Sequence, residues 1–265
     1  MQTIFHIPET HKTSAITVLC VVILGGITFC NLYTHQFWEG WDDWDMVADT
    51  SHIAQDITYI FSPNRILPAR PPLDLIFLFG YLLWEDNPAG FRMLQVCLHI
   101  LGSLLLCYAF YRLGANLELS IFASILFLVN VAHFRAIHWA ICTDRIAAFV
   151  FGISTVITFS FFFESQQKKW LLATIILQFV AIFTHPSAAP VAFFCSYLAW
   201  RKADCFSKAI SSSLPILLIA FIAGIMVYLI SPQVNQVQGL LSNTNHTRIP
   251  ANFLWYIGRM VSTAH

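Results

Sequence analysis

The segment PLDLIFLFGYLLW, Pro72–Trp84, decides how this chain is threaded. It is apolar, but it covers only about a dozen residues, where a crossing helix needs about 20. Read as a surface or re-entrant helix, it leaves Lys12, Arg112, Lys168, Lys169, Arg201, Lys202 and Lys208 all on one side of a membrane. The acids Glu39, Asp42, Asp43, Asp45, Asp49, Asp56, Glu85 and Asp86 then fall on the other. That distribution obeys the preference for Lys and Arg in cytoplasmic loops. Read as a crossing, the same segment would move the later basic loops outside and break the rule. The expectation is therefore a cytoplasmic N-terminus and a first outer loop over 34–87.

Outward from that segment the chain is greasy throughout. It is 57% hydrophobic and 11% charged, with a mean hydropathy of +0.67, whereas soluble domains carry about a quarter charged residues. The apolar runs are continuous and do not alternate, so helices and not barrel strands are expected to span. The fold expected is an all-α polytopic membrane protein with about seven transmembrane helices, plus surface helices in the first outer loop. The runs are Ser14–Tyr33, Ala89–Tyr111, Leu119–Val131, Ile146–Phe163, Trp170–Phe183, Ala188–Trp200 and Ile210–Ile230. Three are shorter than a full crossing and need flanking residues or a thinned bilayer. The first run ends on Phe29-Cys30-Asn31-Leu32-Tyr33 and lacks a small-residue exit, which reads as an uncleaved anchor. Residues 1–230 form the transmembrane domain, and 231–265 an extracytoplasmic tail ending on Pro250–Met260, which reads as the start of another element.

Charge and cysteine usage exclude several classes. The formal net charge is zero and no basic stripe is present, so no nucleic-acid partner is expected. The seven cysteines form no CxxC or CxxH pair, and most sit in apolar runs as small hydrophobes. Walker, GxGxxG, HExxH and GxSxG patterns are absent. An acceptor sequon stands at Asn245-His246-Thr247.

The polar residues concentrate in a few places. Trp41-Asp42-Asp43-Trp44-Asp45 follows the first span directly. Adjacent carboxylates beside a membrane are costly; Asp42 or Asp43 suits a general base, with its neighbour orienting it or shifting its pKa. On a helical turn Asp42 and Asp45 share a face while Asp43 points away. Three acids also suit a divalent cation, but no distant partner ligand accompanies them. The stretch Trp44–Phe61 has apolar residues at near-helical spacing, as a helix lying on the surface would. Arg65, Arg70 and Arg92 lie on the same side, where a guanidinium fork suits phosphate or simply snorkels. His133, Arg135, His138, Asp144 and Arg145 place five ionisable groups within 13 positions. They suit a headgroup site, or else a structural pair between Asp144 and a nearby arginine. His99 inside a span reads as a helix–helix hydrogen bond. Thr184-His185-Pro186-Ser187 makes an outer turn from which His185 reaches the same side.

In order and spacing these stretches resemble the polyprenyl-phosphate-sugar-dependent integral membrane glycosyltransferases, the GT-C class. The likeness is to the protein O-mannosyltransferase and aminoarabinose-transferase type, and to related transferases carrying tetratricopeptide repeats. It rests on Asp42-Asp43, on Arg70-Pro71-Pro72-Leu73 with Phe79-Gly80, and on Asn87-Pro88-Ala89-Gly90-Phe91-Arg92 leading to Leu98-His99. It continues through Ala132-His133, Trp139 and Asp144-Arg145 to Thr184-His185-Pro186-Ser187-Ala188-Ala189-Pro190. The resemblance covers roughly residues 10–205. It implies sugar transfer from a polyprenyl-phosphate donor to a lipid, glycan or protein acceptor outside the cytoplasm. Asp42 or Asp43 would be the base. Arg70, Arg92, Arg135, Asp144 and Arg145 would line the donor site, with Asp45, His133, His138 and His185 around the cavity. No metal or other cofactor is implied. Relatives carry more spans and often a further domain, so a partial member working within a larger complex fits as well. The sequence also leaves open a non-catalytic subunit on the same scaffold, and a transporter or flippase for a lipid-linked substrate.

Overall fold

The computed structural model describes residues 11–34, 42–62, 65, 70–203 and 205–230. Every regular element among them is helical. The tail 231–265, with its sequon, lies outside the described residues, as does Trp41.

Ten α-helices follow in order: α1 His11–Thr28, α2 Asp42–Gln55, α3 Pro71–Trp84, α4 Pro88–Arg112, α5 Leu117–Leu128, α6 Phe134–His138, α7 Thr143–Ser165, α8 Lys168–Thr184, α9 Val191–Lys202 and α10 Phe206–Ile230. Their ends are set by local chemistry. Asn87 caps α4 by accepting from the Ala89 N–H at 3.0 Å, with Pro88 in the first turn, where a missing N–H costs nothing. Asn116 caps α5 through the Leu119 N–H at 2.8 Å. Pro71 opens α3 in the same manner. Gln166, left-handed at φ 54°, closes α7 and returns the chain into α8. The first-loop helix is shorter than Trp44–Phe61 suggested. It stops at Gln55 because the Asp56 carboxylate takes the Thr58 N–H and starts a separate 3-10 turn, Ile57–Phe61.

Three helical stretches are long and apolar enough to cross a membrane by length and composition: Pro88–Arg112, Ala140–Ser165 and Phe206–Val227. Thr17–Thr28, Pro71–Trp84 and Leu117–Leu128 are shorter apolar helices. Large hydrophobic side chains face outward on α1, α5, α9 and α10, among them Val18, Phe122, Phe193 and Phe221. Such apolar surface is far more than a soluble monomer exposes. These features mark an all-helical membrane protein.

The interior forms three apolar clusters. One joins α7, α8, α9 and α10 around Phe159, Ile182, Cys195 and Ile216. A second joins α1, α4, α5 and the start of α7 around Val21, Val96, Leu128 and Ile146. The third seats the first-loop helices: Met46 and Val47 of α2 and Leu73 and Phe77 of α3 pack on Phe91 and on Trp139–Cys142. Gly90 lets α3 and α4 meet closely, since a Cβ there would stand 2.2 Å from Trp84 Cγ. The loop helices are thus locked onto the same turn, 139–144, that begins α7.

Candidate functional site

The site is organised by a polar ribbon on α4. Arg92, Gln95, His99 and Ser103 are spaced by three, four and four residues, so they share one helix face, and all four are buried. Each serves a different piece of backbone or charge. Ser103 Oγ donates to the Ser124 carbonyl of α5 at 2.7 Å. His99 Nε2 meets the Leu128 carbonyl at 3.0 Å, satisfying the last turn of α5. Gln95 Nε2 donates to the carbonyls of Trp139 at 2.8 Å and Ala136 at 3.2 Å. Arg92 Nη1 donates to Gln95 Oε1 at 3.3 Å, and its Nη2 lies 3.9 Å from Asp43 Oδ2. The ribbon therefore holds the irregular segment 129–142 against α4.

The first-loop acids separate as helical spacing requires. Asp42 and Asp45 are exposed, whereas Asp43 is fully buried. Asp43 Oδ1 accepts the Ile141 N–H at 2.9 Å, and the buried Arg92 guanidinium stands on its other oxygen. Asp43 thus fastens α2 to the turn before α7. A second buried pair fastens α3. Arg65 donates to both carboxylate oxygens of Asp74, and to the Ile60 carbonyl at 2.6 Å.

Asp144, in the first turn of α7, joins residues from three distant parts of the chain. Its Oδ2 accepts from Arg70 Nη1 and lies 3.8 Å from His185 Nε2; its buried Oδ1 has no hydrogen-bond partner among the described residues. The partner arginine is 74 positions away and is not the adjacent Arg145. His185 Nδ1 accepts the Ser187 backbone N–H at 3.2 Å, so its proton sits on Nε2, facing Asp144. Burial holds the His185 imidazole below its ordinary pKa; Asp144 pulls it up, and Arg70 and Arg145 push it down. Arg145 is exposed and forms no ion pair among the described residues.

Beside Arg145 a cavity of about 590 Å³ opens between α4, α5, α7 and α9. Arg145, Ser187, His133 and His99 supply its polar lining; Ile153, Val156, Val191 and Phe194 are among the apolar side chains around the rest. A volume of this size is ordinary for a ligand site. A cationic rim over a greasy interior suits an amphiphile with an anionic end.

The sequence-expected residues fall into three groups. Arg70, Asp144, Arg145 and His185 converge, and His133 lines the same cavity as Arg145. Asp43 and Arg92 pair with each other in the interior. Asp42 and Asp45 face solvent, His138 is half-buried, and Arg135 lies on α6 with its side chain outside the described residues. Gln95 and Ser187 were not singled out; the 3-4-4 spacing of polar residues within an apolar run was the signal for Gln95. Among the described residues no three His, Cys, Asp or Glu side chains converge as a metal set. Comparison with family models, curated proteins and solved structures finds no match for this chain.

Proposed function

We propose that this chain is a GT-C-like glycosyltransferase that takes a sugar from a polyprenyl-phosphate donor and passes it to an acceptor outside the cytoplasm. The observation that carries the reading is the apolar cavity with Arg145, which has no ion-pair partner among the described residues, in its lining. The threading proposed with it has seven spans, a cytoplasmic N-terminus, and α2 and α3 lying on the outer surface.

In this reading the prenyl chain lies along Ile153, Val156 and Phe194, and Arg145 holds the phosphate. Arg70 adds a second cation, kept in place by Asp144. A carboxylate takes the acceptor hydroxyl proton while the acceptor oxygen bonds to the sugar C1. The C1–O bond to phosphate breaks, and polyprenyl phosphate leaves with the bonding pair. The exposure of Asp42 supports it as the group that meets an acceptor, and the burial of Asp43 supports a positioning role through Ile141. The closed environment of Asp43 favours one second reading, a non-catalytic subunit that holds the lipid phosphate without turnover.

The test uses the full chain in nanodiscs. Polyprenyl phosphate should bind roughly tenfold more tightly than the polyprenol of equal length, as expected for one charge-assisted contact. Arg145→Gln should erase that difference. Equal binding of the two lipids refutes the proposal. With a mannosyl phosphoryl prenol as probe, turnover lost in Asp42→Asn assigns the base. Binding without turnover in the unmodified chain selects the subunit reading.

A further inference from the structure

The three stretches long enough to cross a membrane share one end, opposite the end that carries Arg145. Arg112 closes α4, Glu164 stands in the last turn of α7, and Phe206 opens α10. Contacts join these termini. Arg112 pairs with Glu164 and lies over the Phe161 ring at 4.5 Å. Lys208 Nζ of α10 lies 5.6 Å from the centre of the Phe163 ring. Lys202, the last residue of α9, shares a small recess with Phe163, Leu113 and Leu198. Two lysines from different helices therefore meet at Phe163.

Charge at this end is out of balance. Arg112, Lys168, Lys169, Arg201, Lys202 and Lys208 all belong to its helix termini. Among the described residues the carboxylates there are Glu118 and Glu164, and the sequence adds Asp204 between α9 and α10. Glu164 serves two cations at once. Desolvation holds the Lys202 amine below its ordinary pKa; Glu164 pulls it up, and Arg112 pushes it down. An added anion relieves that repulsion. The level of the charge in a membrane is marked by aromatic side chains. Trp200 is 63% exposed two positions before Lys202, and Phe206 is 73% exposed two positions before Lys208. Exposed aromatics of this kind sit at the headgroup layer, so the anion that reaches these lysines is the one the bilayer itself presents.

We infer that this end of the molecule binds an anionic phospholipid, whose phosphodiester is held between Lys202 and Lys208 at the Phe163 ring. Two ammonium groups act as point charges and need no fixed fork. The site is separate from the cavity beside Arg145. Eighteen positions of α7 lie between Arg145 and Phe163, a rise of about 27 Å. The inference therefore stands whether or not the chain is a transferase.

The test titrates the full chain in neutral detergent with dioleoyl phosphatidylglycerol or dioleoyl phosphatidylcholine, and native mass spectrometry counts the lipid retained. One lysine near an anionic headgroup is worth roughly fivefold in affinity, so two should favour phosphatidylglycerol by roughly twentyfold at low salt. The preference should shrink as salt rises. Lys202→Gln with Lys208→Gln should abolish it, and Lys202→Arg with Lys208→Arg should keep it. Thermal unfolding in phosphatidylcholine micelles checks that the double Gln variant folds. If it does not, Lys202→Gln alone, at an exposed position, should cost roughly fivefold. Arg145→Gln should leave the preference intact. Equal retention of the two lipids overturns the inference, as does a preference that survives the loss of both lysines. A preference lost in Arg145→Gln places the lipid at the other end and overturns it too. Displacement of phosphatidylglycerol by inorganic phosphate at equal concentration assigns the lysines to a free anion, which also refutes a lipid site.

Discussion

Gln95→Leu tests the polar ribbon directly. The leucine fills a similar volume, so the change deletes hydrogen bonds and leaves little cavity. Gln95 is fully buried and donates to the Trp139 and Ala136 carbonyls at 2.8 and 3.2 Å. It also receives the Arg92 Nη1 proton at 3.3 Å. A buried polar group that loses its partner costs about 1–3 kcal/mol in a water-soluble protein. Between membrane helices the measured average is smaller, about 0.6 kcal/mol with a maximum near 1.7. These contacts are lost together, and they serve the short helix α6 and the Trp139 turn that follows it. The expected destabilisation is therefore about 2 kcal/mol. For a chain of this length that lowers Tm by roughly 4–8 °C. Thermal unfolding in detergent, followed by the fluorescence of the eight tryptophans, reads the change. Met93→Leu, at an exposed neighbour on the same helix, should leave Tm nearly unmoved. A Gln95→Leu protein that melts with the wild type would show that segment 129–142 is held by packing alone.

Two further outcomes follow from the acids and the histidine. Asp43→Ala removes the carboxylate that faces buried Arg92, and should cost about 3–5 kcal/mol in denaturant unfolding. Exposed Asp42→Ala should stay within about 0.5 kcal/mol; equal effects would contradict their opposite burial. His185 has its pKa lowered by burial. A depressed base binds fewer protons folded than unfolded, so its stabilisation is complete above the unfolded value of about 6.5 and is lost as pH falls below it. Wild-type Tm should therefore drop between pH 7.5 and 5.5 more than that of His185→Gln, and parallel pH profiles would rule out this titration.

Helix content was legible because apolar runs here are long and unbroken, whereas the caps at Asn87 and Asn116 were not read from the sequence. The first-loop helix was read six residues too long because period-like apolar spacing at Ile57 and Ile60 says nothing about Asp56. That carboxylate offers the backbone a tighter local alternative. The separate faces of Asp43 and of Asp42 and Asp45 were readable, since helical spacing alone fixes them. What Asp43 touches was not, because Ile141 lies 98 positions on. The same holds for Asp144. The sequence offered it a nearby arginine, but successive residues on a helix point about 100° apart, and it is Arg70, 74 positions away, that reaches the carboxylate from another part of the fold.

The length of α5 explains why a site exists at this place. Its 12 residues rise about 18 Å, against a hydrocarbon core of about 30 Å. If the chain crosses here, the rest of the crossing is made by segment 129–142, which is mostly short turns. Backbone outside a long helix survives at membrane depth only where protein or a polar cavity satisfies it. The α4 ribbon supplies that satisfaction: His99 closes the end of α5, Gln95 collects the carbonyls beyond it, and Arg92 ties the turn before α7 to the first loop through Asp43. A full-length helix in place of 129–142 would bring α5 flush against α7 and fill the space that now opens beside Arg145. The short helix, the polar ribbon and the cavity are thus one structural decision, and substitutions in 129–142 that extend α5 should close the cavity before they disturb the fold.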